Sequence, residues 1–188
     1  MRDDRGVAGM RGKETIRDMV LSLAAIGVVV AAIYLFGIPH DEGAKGDGVK
    51  TVDYRVELDT ARRAAPYPVA APEPGSLPKG WRATSVTYRA AEGQNGAAWH
   101  LGFLYQNEEY VAIEQSDGKA VPFVEDVTQQ ARETKRTQRI EGKEWVRYAG
   151  DKYDALVRKE PGVTTVVTGT ASYGRLTEMA AALTEKKG

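Results

Sequence analysis

The chain has 188 residues, 42% of them hydrophobic, which is enough for one domain core plus an accessory segment. Its 26 basic side chains are matched by 26 acidic ones, so no net field is available to attract nucleic acid, and no nucleic-acid partner is expected. There is no cysteine, which excludes a disulfide framework, a thiolate metal site, a cysteine nucleophile and a cysteine-linked lipid.

In chain order, residues 1–18 form a basic N-terminus, and residues 19–38, MVLSLAAIGVVVAAIYLFGI, then run for twenty residues without a charge. At 1.5 Å per residue a helix of that length covers about 30 Å, the hydrocarbon thickness of a bilayer. A buried core helix is the alternative, but it is normally shorter and carries a polar stripe. A cleaved signal peptide is a second alternative; the apolar run is longer than a signal core and ends in FGIPHDEG, without a small-x-small cleavage site. An uncleaved transmembrane helix is therefore expected. Arg2, Arg5, Arg11, Lys13 and Arg17 precede it, against Lys45, Lys50 and Arg55 in an equal length after it. The positive-inside rule then puts the N-terminus in the cytoplasm and the rest of the chain outside the cell membrane.

Residues 39–50 are Gly-rich and charged, the composition of a tether, and residues 51–188 are expected to form the extracytoplasmic domain. Val52, Tyr54, Val56 and Leu58 alternate with polar residues and predict a first strand, followed by two helical turns capped by Asp59. Five prolines hold residues 65–79 extended, as a connector lying on its own domain. WRATSVTYRA, AAWHLGFLYQ and EYVAIEQS, separated by turn residues, predict an antiparallel meander. A helix is expected over VPFVEDVTQQARETK, with Phe123, Val127 and Ala131 facing inward. A second meander follows near 136–140, 143–149, 152–159 and 163–170, and Ser172 caps a closing helix whose Tyr173, Leu176, Ala180 and Leu183 share a face. The fold class expected is α+β: an antiparallel sheet with the helices packed on one face.

Motifs that would specify a reaction are missing. The two histidines, His40 and His100, lack the spacing of a zinc site, and the carboxylate pairs Glu108 with Glu109 and Glu125 with Asp126 fall in a turn and a helix start, where solvation is expected. No cofactor is expected. Arg132, Lys135, Arg136, Arg139 and Lys143 interleave with glutamates and read as a solvated helix end. The three tryptophans are the most informative side chains, each able to bury on the order of 200 Å² in a core. The sharper reading is a groove for an extended peptide or glycan formed by Trp81, Tyr88, Trp99 and Tyr105, with His100 beside it.

The basic N-terminus and single span, the proline-rich approach to LPKGWRATS, and the stretches WHLGFLYQNEEYVAIEQS, GKEWVRY, YDALVRKEPGVTTVVTGTAS and LTEMAAAL resemble the actinobacterial domain-of-unknown-function 4245 family over nearly the whole chain. The resemblance implies a single-pass membrane protein with an extracytoplasmic α+β domain, and implies no activity or catalytic residue. The function expected is a membrane-anchored binding or interaction module, held in the bilayer by residues 19–38, whose partner is an envelope protein, cell-wall glycan or small amphiphile. The alternative is an enzyme of the cell envelope with His100 as its proton-transfer group.

Overall fold

In the computed structural model, which describes residues 49–92 and 96–188, the segment expected to be a first strand is helical: α1 spans Arg55–Ala64. The transmembrane helix of residues 19–38, the N-terminus and most of the tether lie outside the described residues. Tyr54, Leu58, Ala61 and Ala65 recur at helical spacing and are 7, 1, 0 and 2% exposed, whereas Val56 is 78% exposed. Tyr54 and Leu58 fit both periods, and the solvated Val56 made the alternation look like a strand. Asp59 lies inside α1 and not at its cap, which is Tyr54.

The proline segment is extended at Val69–Ala71 but not throughout, because the chain turns at Glu73–Ser76, where Ser76 N donates to Glu73 O at 2.9 Å and Gly75 takes φ +84°. Val69–Ala71 is a short strand, β1, held to three residues by Pro68 and Pro72, and it pairs antiparallel with β9, Thr184–Lys186. The buried Gln115 fastens it to the domain by accepting from Ala70 N at 2.7 Å while donating to Thr165 Oγ1 at 3.0 Å.

Seven strands make the main sheet: β2 (Trp81–Arg89), β3 (Ala98–Tyr105), β4 (Glu109–Ser116), β5 (Arg132–Ile140), β6 (Lys143–Ala149), β7 (Asp154–Glu160) and β8 (Val163–Gly169). Their order is β2-β3-β4-β8-β7-β6-β5, antiparallel throughout, so the two meanders meet where β4 pairs with β8. The hairpins follow the expected turn chemistry: Gly162 takes φ +81° after Pro161, and Glu141-Gly142 adopt φ +46° and +76°.

The middle helix, α2 (Ala120–Val127), is shorter than its pattern suggested. Thr128 bonds back to Val124 O at 2.6 Å, and Gln129 and Gln130 then take positive φ, turning the chain into β5. Lys135, Arg136 and Arg139 consequently lie on an edge strand, not at a helix end, and their charge guards that edge against pairing with another chain. The closing helix, α3 (Tyr173–Ala181), begins as expected, with Ser172 Oγ accepting from Arg175 N.

The helices do not share one face. Leu176 and Met179 of α3 and Leu58 of α1 pack with Trp99, Phe103, Trp145, Leu156 and Val167 in the main core. Val124 of α2 packs with Ala155, Val157 and Val166, neighbours of Leu156 and Val167 and hence on the opposite face. The reason is visible in β7 and β8, where Ala155-Leu156-Val157 and Val166-Val167 are apolar on both sides and need cover on both.

Candidate functional site

Alternation along β2, β3 and β4 divides their side chains between the two faces. Trp99, Leu101 and Phe103 enter the main core with Val111 and Ile113, so Ala98, His100 and Gly102, with Glu114 and Ser116, face α2. A bulge between Ala83 and Ser85 sets Ser85 and Thr87 on that same side. The apolar cluster beneath α2 ends at β8, and over β2 to β4 the face is polar and open.

Two adjoining hollows follow from this arrangement. One, of about 610 Å³, is walled by Arg89, Ser116, Lys119, Phe123 and Asp126. The other, of about 300 Å³, reaches His100 and Glu114 past Thr87 and Val127, and the two share Arg89, Ala98, Phe123 and Asp126. Together they form a cleft with charges of both signs and one aromatic wall.

His100 and Glu114, which line the smaller hollow, are joined to Ser85 beside it, so that three side chains from three neighbouring strands are linked. Ser85 Oγ lies 2.7 Å from His100 Nε2, and His100 Nδ1 lies 2.6 Å from Glu114 Oε1. The register explains the chain of contacts: His100 stands directly opposite Glu114, and Ser85 opposite Gly102, one diagonal step from His100. The His100 side chain is 30% exposed and that of Glu114 is 13% exposed. Burial pushes the Glu114 carboxyl up from its ordinary value, opposed by its hydrogen bond to His100. Tyr110 is pushed up to about 12 by burial and by the neighbouring Glu114 charge, so its phenol stays a neutral donor. Gly102 has no side chain in the space where the Ser85 hydroxyl and the Tyr110 phenol meet; a methyl group there would collide with both.

Of the five residues singled out by sequence, only His100 belongs to this cleft. Trp99 is 0% exposed and donates its indole N–H to Ala70 O at 3.1 Å. Trp81 packs edge-on to Phe103 and donates to Glu178 at 3.0 Å, Arg175 stacks 3.8 Å over the Tyr105 ring, and Tyr88 packs against the main core. Those four anchor the α1 and α3 face. Ser85, Arg89, Glu114 and Asp126 were missed. The alternation that buries Trp99 could have assigned His100 to the opposite face, but the register that brings Ser85 to it depends on the bulge at Thr84.

No group of three or more histidine, aspartate or glutamate side chains gathers around a potential metal position among the described residues. The family model described as protein of unknown function (DUF4245) matches residues 11–183. The chain belongs to that family. The match takes in the charge-free stretch as well as every strand that builds the cleft. No curated protein and no solved structure matches the chain.

Proposed function

We propose that the chain is a membrane-anchored, extracytoplasmic binding module whose cleft takes a hydroxyl-rich cell-envelope ligand, with cell-wall glycan as the class that fits best. The observation carrying this reading is the cleft between α2 and β2 to β4: a concave polar surface of one aromatic wall, Phe123, faced by Arg89, Asp126 and His100. A sugar offers hydroxyls to charged donors and acceptors and an apolar ring face to an aromatic, and this lining supplies both. The anchor rests on residues 19–38, whose length suits the bilayer, and on the excess of basic residues before them. Among the described residues no helix is long and apolar enough to cross a membrane.

Titration of the solubilised full chain with soluble cell-wall glycan fragments tests the reading. Saturable binding is expected, weakened at least about tenfold by Phe123→Ala or Asp126→Ala, as befits loss of a central contact. Binding that these substitutions leave unchanged would place the ligand elsewhere. Protease accessibility of the C-terminal domain in intact cells, with the N-terminus protected, is the matching test of orientation.

A further inference from the structure

Ser85, His100 and Glu114 stand in the order nucleophile, base and orienting acid, and their spacing needs explanation. A partly buried serine on an open sheet face can satisfy its hydroxyl with water, yet here it is held 2.7 Å from an imidazole nitrogen. The imidazole is fixed in turn by a carboxylate at 2.6 Å from the next strand, in a position where burial penalises its charge. A glutamine there would hold the ring at lower cost. Gly102 adds an independent sign: it sits in the middle of β3, where glycine weakens a strand, and the space it vacates holds the Ser85 hydroxyl beside the Tyr110 phenol.

We infer that Ser85, His100 and Glu114 form an acyl-transfer relay that hydrolyses an ester whose acyl or alcohol part occupies the cleft. Ser85 Oγ attacks the ester carbonyl carbon while its proton passes to His100 Nε2. Tyr110 Oη donates to the oxygen that becomes negative. The bond to the alcohol oxygen breaks, and the alcohol leaves with the proton from His100. Water then gives a proton to His100 and attacks the acyl carbon, and the serine leaves with that proton, so that ester and water become acid and alcohol with no other reactant. Glu114 acts as a positioning residue. As a carboxylate it accepts from His100 Nδ1–H and leaves Nε2 free to take the serine proton; protonated, it donates to Nδ1 and reverses the polarity of the chain. Arg89 of β2 and His100 of β3 favour its charged form, and Asp126 of α2 opposes it.

The inference uses the cleft of the proposed function, and one pair of measurements separates them. The solubilised full chain is treated with a fluorophosphonate probe and assayed for hydrolysis of p-nitrophenyl acetate. A single adduct on Ser85 is expected. Ser85→Ala abolishes it, His100→Ala slows hydrolysis by about 10²- to 10⁴-fold, and Tyr110→Phe slows it by about 10²- to 10³-fold. Glu114→Gln, which donates to Nδ1 and fixes the wrong tautomer, slows hydrolysis by about 10⁴-fold, and the conservative Glu114→Asp recovers part of that rate, a rescue that a purely structural role would not produce. Thermal melting of each variant confirms that it is folded. A folded parent chain that takes no label at Ser85, or hydrolysis that survives Ser85→Ala, overturns the inference. Glycan binding retained beside an unlabelled Ser85 overturns it alone and leaves the binding module standing; labelling without glycan binding supports it and removes the glycan.

Discussion

The two faces of one sheet have been put to different uses. The face under α1 and α3 is dry and filled by large side chains, with Trp99, Leu101, Leu156 and Leu176 all at 0% exposure. The face under α2 holds a smaller apolar cluster at β7 and β8 and, over β2 to β4, gives way to Ser85, His100, Glu114 and an open cleft. Adjacent residues on one strand, Trp99 and His100, thus serve the core and the cleft. Stability resides mainly on the first face, which frees the second to carry polar groups that add little to folding.

The largest effect that sharpens this contrast is expected from Trp99→Ala, which empties the main core and orphans the Ala70 carbonyl; it should cost about 3–5 kcal/mol in denaturant unfolding. Gln115→Ala is next, at about 1–3 kcal/mol, because the buried Ala70 N–H loses its only side-chain acceptor among the described bonds. On the other face, Glu114→Gln should stay within about 1 kcal/mol of the parent at pH 7. Because the folded carboxyl lies above its ordinary value of 4.5, it favours folding at lower pH and that contribution fades as pH rises through the raised value. The glutamine variant should therefore show a flatter stability profile on the rising side of that window. A loss at Glu114 as large as that at Trp99 would break the contrast and make the polar face structural.

The smallest effect concerns the β1–β9 clip. Lys186, Thr184 and Arg62 hold Glu73 down to about 2 from an ordinary value of 4.5. Its contribution is present above 4.5 and lost as pH falls toward 2. The side chain is 38% exposed, so Glu73→Gln should cost well under about 1 kcal/mol at pH 7 and remove part of the acid sensitivity between those values.

Much of the fold was legible. The hairpin turns at Glu141-Gly142 and Pro161-Gly162 carry their own backbone chemistry, and the strands around them fell within a few residues of their expected positions. The errors came where two periods share residues. Tyr54 and Leu58 satisfy a strand and a helix alike, and α2 ended in Gln129-Gln130, positive-φ residues of a type that gives no local warning. The placement of α2 was readable in principle from the two-sided apolar runs of β7 and β8. The cleft was less legible, because its members come from β2, β3, β4 and α2 and their meeting depends on register. Aromatic content pointed to Trp99, Trp81 and Tyr105, and bulk of that kind was needed to fill the core. His100 stands out in the sequence by its chemistry alone, and the partners that give it meaning are three-dimensional neighbours 14 and 15 residues away.

The β1–β9 clip also bears on the order of assembly. Thr184 bonds to Ala71 across 113 residues of chain, so β1 has no strand partner until β9 has been synthesised and placed. Long-range pairings of this kind form slowly because so much loop entropy must be lost before they close. The sheet and its helices can therefore be complete while the proline strand still waits, and latching of the clip is expected as the final kinetic event, after which both edges of the small two-stranded sheet are fixed together.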